Sequence, residues 1–299
     1  MFRPFRAAIL LFRYPGRCRG LSCLRLSAST SEFWLSRTGT VGKGDAAAFP
    51  VGCPVALTLT LSPASLARMI IAPSLLAANF GRFAADTGRF DQSGAEWLHL
   101  DIMDGHFVPN LSFGPQLVKS LRPLTKKFFD VHLMCSKPEI LLEPFVKAGA
   151  DQIIVHVELG DRVEGLLWKI KSLGKKVGLA VNPPTAIENA RPFLDHIDLL
   201  LVMTVNPGFG GQPFIHECVP KIQQAAAWKR ELGLDYHIEV DGGITFDTVG
   251  ECARAGANVF VSGTGIFGQH SLKAAVKKMR GIAEKNDPVL ADLQCEKPR

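Results

Sequence analysis

Eight short β-rich runs, each followed by a stretch with helical patterning, constrain this chain more than any other feature of its sequence. They fall at 70–75, 97–103, 128–134, 152–157, 176–181, 199–205, 236–240 and 258–262, with starts 22 to 37 residues apart. Strand and helix in alternation build a parallel sheet, because a parallel neighbour is reached only through a crossover. A weak internal repeat marks the joints. Ser93-Gly94-Ala95-Glu96, Ala148-Gly149-Ala150-Asp151 and Ala255-Gly256-Ala257-Asn258 each lead into a run. Glycine just past a helix end is a common stop, so each copy reads as helix, stop, strand. Eight units in about 230 residues predict a single (β/α)8 barrel, whose usual size is ~250 residues. A doubly wound open sheet is the competing arrangement, and the lack of G-x-G-x-x-G after the first run argues against it.

Residues 1–68 are a different kind of sequence. They hold nine Lys/Arg and only Glu32 and Asp45 as acids, and none of the eight histidines. We read them as an N-terminal extension without regular structure. It is either an Arg- and Ser-rich transit peptide or a stretch upstream of the true start, since Met69 opens directly onto the first run. Residues 69–299 then form the catalytic barrel, placed in the cytoplasm, or in a plastid if the transit peptide is genuine. This division also disposes of the formal charge of +6: the barrel itself has 25 basic and 26 acidic residues. Nothing there calls for nucleic acid as a partner. No apolar run approaches the ~18 residues of a membrane-spanning helix. Cys135, Cys218, Cys252 and Cys295 are scattered and form no C-x-x-C, which reads as idle thiols in a reducing compartment.

The chemistry sits at strand ends. Residues two apart share a face of a strand, so Trp97, His99, Asp101 and Met103 point at the barrel axis while Leu98, Leu100 and Ile102 pack on helices. Asp130, His132 and Met134 do the same in the third run, and His237, Glu239 and Asp241 in the seventh. Charges aimed into a barrel are costly unless paired or bound to metal. His99, Asp101, His132 and Asp241 can converge on one divalent cation, and mixed nitrogen and oxygen donors suit Zn, Fe, Mn or Co. His156 reads equally as a core histidine or a ligand. His106, His196, His216 and His270 read as surface residues. Three glycine clusters supply the other half of a site. They are Pro207-Gly208-Phe209-Gly210-Gly211, Asp241-Gly242-Gly243 and Ser262-Gly263-Thr264-Gly265. Glycines let backbone N–H groups close on an anion, and barrels commonly grip phosphate after strands seven and eight. No Lys or Arg lies in these loops. A metal beside two carboxylates next to a phosphate cradle describes an isomerase or epimerase of a phosphorylated ketose, with aldolase or decarboxylase chemistry still open.

These motifs closely resemble the ribulose-phosphate 3-epimerase family. The resemblance runs through Ala72-Pro73-Ser74-Leu75-Leu76, the stretch from Leu98-His99-Leu100-Asp101 to His106-Phe107-Val108-Pro109-Asn110, and Asp130-Val131-His132-Leu133-Met134. It continues in the glycine clusters and Glu239-Val240-Asp241-Gly242-Gly243. It implies reversible interconversion of D-ribulose 5-phosphate and D-xylulose 5-phosphate in the pentose phosphate pathway and Calvin cycle, by a homo-oligomer whose partner is a small sugar phosphate. It implies His99, Asp101, His132 and Asp241 as metal ligands, with Asp101 and Asp241 also the acid/base pair on opposite faces of an enediolate. Strands two and seven would lie across the barrel from each other. Ser74, His99 and His132 would touch substrate, and Gly208, Phe209, Gly210, Gly211, Gly242, Gly243, Gly263 and Thr264 would hold phosphate. Met103, Met134 and Met203 resemble the family's collar over the intermediate. Related barrels that decarboxylate or condense formaldehyde carry a lysine where His132 stands. A hexulose-6-phosphate 3-epimerase would share the motifs, and a non-catalytic phosphosugar-binding barrel would be expected to have lost one of them.

Overall fold

Strand β1 (Ile70–Pro73) is followed by β2 (Trp97–Met103), β3 (Phe128–Met134), β4 (Gln152–His156), β5 (Lys176–Val181), β6 (Leu199–Met203), β7 (His237–Asp241) and β8 (Val259–Ser262). All pair in parallel, in the order β1-β8-β7-β6-β5-β4-β3-β2. The computed structural model describes residues 69–288 and the backbone of one antiparallel pair, Phe33–Leu35 with Val41–Lys43. The reading of residues 1–68 as an unstructured extension otherwise lies outside the described residues, as does Cys295.

The ring is completed between β2 and β1 by a single parallel bridge, Ser74 with His99, and by the Glu96 N–H donating to Ile71 O at 3.3 Å. Between strands run α1 (Phe83–Asp91), α2 (Pro115–Leu121), α3 (Leu142–Ala148), α4 (Val163–Ser172), α5 (Val219–Glu231) and α6 (Val249–Ala255). Pro192 falls inside the segment after β5, which is a 3-10 stretch, Ile187–Phe193, in place of an α-helix. After β8 come the single turn α7 (Thr264–Phe267) and the long α8 (Leu272–Asn286). The three repeat glycines, Gly94, Gly149 and Gly256, have φ of 85°, 105° and 107°. Gly149 and Gly256 cap α3 and α6 in the left-handed region, as a helix stop requires.

Strand parity sorts the core into two layers. Leu98, Leu100, Val131 and Leu133 face outward into the layer that holds Phe145, Ile222 and Val276. Ile70, Ala72, Ile154, Ala180, Leu199, Leu201, Val259 and Val261 fill the barrel axis.

The structure corrects several sequence boundaries. Ser74 ends β1 because its Oγ accepts the Leu76 N–H, opening a 3-10 turn in place of further strand. Tyr236 precedes β7, and its hydroxyl donates to Ala225 O at 2.7 Å under α5. The ring order puts only β1 and β8 between β2 and β7, so these strands are three places apart and do not face each other across the axis.

The weak β1–β2 seam is clasped from outside by Arg280 of α8. Its Nη2 donates to both Glu96 oxygens at 2.7 Å and to Gly94 O at 2.9 Å. Arg280→Met is expected to cost about 2 kcal/mol through the charged bonds lost. That is about 4–8 °C in Tm for a domain this size, read by thermal unfolding; an unchanged Tm would show that the seam holds without the clasp.

Candidate active site

Parity and register together assemble the polar cluster. On β2 and β3 the paired positions are His99 with Asp130 and Asp101 with His132, so four inward groups sit in two adjacent rows. Asp241, the last residue of β7, completes the cluster at the C-terminal end. One ligand atom from each of His99, Asp101, His132 and Asp241 lies within 4.8 Å of all the others.

The geometry fits a metal ion. His99 Nδ1 lies 2.7 Å from Asp130 Oδ2, so the proton there belongs to Nδ1 and the bond turns Nε2 inward. That Nε2 is fully buried, makes no hydrogen bond, and stands 3.2 Å from Asp101 Oδ1. His132 Nδ1 is also 3.2 Å from Asp101 Oδ1. Bonds of about 2.0–2.1 Å to a shared ion would set neighbouring ligand atoms about 3.0–3.4 Å apart. Asp130 is itself fixed by Gln152, whose Nε2 donates to Oδ1 at 2.8 Å.

The two carboxylates that face the cavity are electrostatically unlike. Burial, then the Asp101 charge, push Asp241 up to about 7. Burial opposes charge on Asp101 too, but the His99 charge first, with the His132 ring beside it, holds it well below the usual carboxylate range. His132 is pushed down to about 4, by burial first. Burial works against charge on His99 as well, yet Asp101, Asp130 and Glu239 around it raise it well above an ordinary histidine. Glu239 also lies under the site, its oxygens buried without hydrogen bonds and its acid form favoured by burial and by Asp130.

Above the cluster opens a cavity of about 320 Å³ at the C-terminal end of the barrel. Ser74, Asp101 and Asp241 are at its floor, with Ser74 Oγ donating to Asp101 Oδ2 at 2.6 Å. Met103, Met134 and Met203 line it, and Gly208, Phe209, Gly210, Gly211, Gly242, Gly243, Gly263 and Thr264 form its other end. No Lys or Arg is among the residues lining it. His99 and His132 are not part of the lining: both are fully buried beneath the floor. Each nevertheless offers a ring nitrogen within 4.8 Å of the cavity-lining carboxylates Asp101 and Asp241. Gly242 and Gly243 carry φ of 115° and 65°, and a Cβ on Gly243 would stand 2.6 Å from the Phe214 backbone nitrogen. A Cβ on Gly242 would meet the Val205 backbone nitrogen at 2.8 Å, so only glycine fits these two left-handed positions without moving a neighbouring chain.

His106, His216 and His270 are exposed and His196 half-buried, in line with the surface reading. His156 is fully buried. Sequence reasoning passes over two loop anchors. Asp104 accepts from the Ser136 N–H and hydroxyl and from the Phe107 and His106 N–H groups, fixing the loop after β2 to β3. Asn110 Nδ2 donates to Gly208 O at 2.7 Å, joining that loop to the glycine loop after β6. Both lie in the motif that runs from Asp104 to Asn110, and loop polar residues next to a strand end are the signal that could have found them.

The sequence profile of the ribulose-phosphate 3 epimerase family matches residues 70–267. A ribulose-phosphate 3-epimerase of Synechocystis is 44% identical over 228 residues, covering 76% of this chain and 99% of that protein. A chloroplastic ribulose-5-phosphate-3-epimerase of Arabidopsis thaliana is 41% identical over 218 residues, covering 72% of this chain and 78% of that protein. The crystal structure of 3-hexulose-6-phosphate synthase from Salmonella typhimurium shares the fold, with TM-score 0.52 at 16% identity over 73% of this chain and all of that one. The profile spans every strand of the barrel, and the chain belongs to the ribulose-phosphate 3-epimerase family of isomerases.

Proposed function

We propose that this barrel interconverts D-ribulose 5-phosphate and D-xylulose 5-phosphate, with Asp101 and Asp241 exchanging roles as base and acid at C3. The observation that carries this reading is the pair of carboxylates, Asp101 of β2 and Asp241 at the end of β7, that line one cavity beside the buried His99 and His132. Two carboxylates at one substrate cavity are what a two-base inversion needs. Ionised Asp101 removes the C3 proton from one face of the sugar, and Asp241 returns a proton to the other, through a planar enediolate. In the reverse direction the two exchange tasks. Ser74 orients Asp101 through its 2.6 Å bond. Gly208, Gly210, Gly211, Gly242, Gly243, Gly263 and Thr264 hold the phosphate by backbone N–H groups and one hydroxyl, while Phe209 and the three methionines exclude water.

His99, Asp101, His132 and Asp241 would hold one divalent ion, with Zn, Fe, Mn and Co all suited to the donor set. Such an ion supplies Lewis acidity to the sugar's oxygens and so acidifies the adjacent C–H. His99 and His132 would supply its two nitrogen ligands. The cavity is near the lower end of the ~300–1,000 Å³ range of ligand sites, which favours a pentulose phosphate over a hexulose phosphate. Faster turnover of ribulose 5-phosphate than of a hexulose 6-phosphate by the purified protein is the expected result, and the reverse order would overturn the substrate assignment. The reaction is assigned to the cytoplasm, or to a plastid if residues 1–68 prove to be a transit peptide. Among the described residues no helix is long and apolar enough to cross a membrane.

Metal uptake should depend on pH in a fixed direction. Below about 7 Asp241 holds a proton that an ion must displace. Each pH unit below that value then costs about tenfold in affinity, and the proton on His99 adds to the slope. Between pH 7 and pH 5 the affinity for zinc should fall at least about 100-fold, measured by chelator competition. A flat profile would contradict the protonation state assigned to Asp241.

A further inference from the structure

Beneath the floor, His132 is the inner end of a chain that the reaction does not use. Its Nδ1 is 3.2 Å from Asp101 Oδ1, its Nε2 is 2.8 Å from His156 Nε2, and His156 Nδ1 is 3.1 Å from Glu158 Oε2. Each of these three gaps joins two atoms that accept hydrogen bonds, so each needs one proton or one cation between them. With one N–H on each ring, two of the gaps are filled and one is not. Which gap goes without is decided at the far end.

Glu158 is an acceptor and nothing else. Its Oε1 accepts the Asn182 N–H at 2.8 Å. Burial opposes its charge, yet the bonds from His156, Thr185 and Asn182 hold its carboxyl down to about 2. The proton beside it must therefore sit on His156 Nδ1, which leaves His156 Nε2 as an acceptor. That nitrogen in turn requires the proton of His132 on Nε2. The remaining gap, between His132 Nδ1 and Asp101, is the one left for a cation. Both imidazoles are fully buried, and the gaps of 2.8–3.2 Å leave no room for a water between the linked atoms. The Phe107 ring lies 4.7 Å from that of His156.

We propose that Glu158, acting through His156, sets the tautomer of His132 and so presents its Nδ1 as the metal-binding atom. Both are positioning residues, and the proposal rests on the metal-site reading above. Ligating histidines are commonly oriented by a partner at the other ring nitrogen, and loss of such a partner lowers metal affinity about 10–100-fold. Here the partner is a second histidine, itself oriented by a carboxylate in the turn beyond the strand.

The test uses the zinc-loaded protein with ¹⁵N-labelled histidine and long-range ¹H–¹⁵N spectra, together with chelator competition for zinc. His132 should carry its proton on Nε2 with Nδ1 bound to zinc, and His156 should carry its proton on Nδ1. In Glu158→Gln a single amide oxygen cannot serve both His156 and the Asn182 N–H. Zinc affinity should then drop about 10–100-fold, with Glu158→Asp restoring part of it. Zinc bound through His132 Nε2, a His156 proton on Nε2, or an unchanged affinity in Glu158→Gln would overturn the proposal while leaving the metal site in place. A protein that takes up no zinc would overturn the metal site and this inference with it. If Glu158→Gln fails to fold, the wild-type spectrum alone decides.

Discussion

Asp241→Asn should lower net epimerisation about 10²–10⁴-fold, the range for loss of one proton-transfer group, without emptying the site. Asparagine keeps the size of the side chain and an oxygen that can still ligate an ion. What it removes is the proton returned to one face of the sugar. Asp101 is untouched and still faces the cavity, held by Ser74. One epimer, whose C3–H faces Asp101, should therefore exchange that proton with solvent deuterium while the other does not. NMR of each epimer incubated separately with the variant reads this directly. Exchange at C3 in both epimers, or wild-type turnover, would show that Asp241 is not the second acid/base group. Asp101→Asn should give the mirror-image result, but with a greater loss of metal, because Asp101 Oδ1 is the atom both His99 and His132 approach.

Gly243→Ala should lower kcat/KM by about 100-fold or more, the scale of effect expected from misplacing a bound substrate by an ångström. At φ of 65° an alanine is strained, and its Cβ would stand 2.6–2.7 Å from the Phe214 backbone, which is not a part that can give cheaply. The wall of the phosphate end would have to move. Binding energy gained at a remote phosphate is what orients the reacting carbon, so the loss should appear in kcat as well as KM. Gly210→Ala is the control in the same cavity: nothing lies within 4 Å of a Cβ there. Its effect should be small. Steady-state kinetics of the two variants checks the contrast, and equal losses would mean that neither shape nor φ at Gly243 matters.

Strand parity makes much of the site legible in the sequence alone. The position of His99, Asp101 and Asp130 on one side of β2 and β3 follows from a period of two, and three of the eight strands, β2, β3 and β5, keep the bounds of their runs. The other ends shift where side chains compete with the ladder, as Ser74 does. Depth along the axis is not encoded in parity, so the sequence does not tell that His99 and His132 are fully buried while Asp101 and Asp241 line the cavity. Ring closure is likewise invisible to a run-by-run reading, which puts β2 and β7 opposite each other. His156 shows the limit most clearly. Its sequence neighbours leave core and ligand equally open, because its role depends on His132 and Glu158, brought to it by the register of β3 with β4 and by the turn after β4. The buried thiols of Cys135, Cys218 and Cys252 agree with the reading of idle cysteines.

The most direct test of the central claim is NMR of ribulose 5-phosphate incubated with the purified, metal-loaded protein in D₂O. Inversion by two carboxylates predicts xylulose 5-phosphate with deuterium at C3, formed by the loaded protein and lost when a chelator strips the site. A folded, metal-loaded protein that leaves C3 unexchanged in both sugars would contradict it.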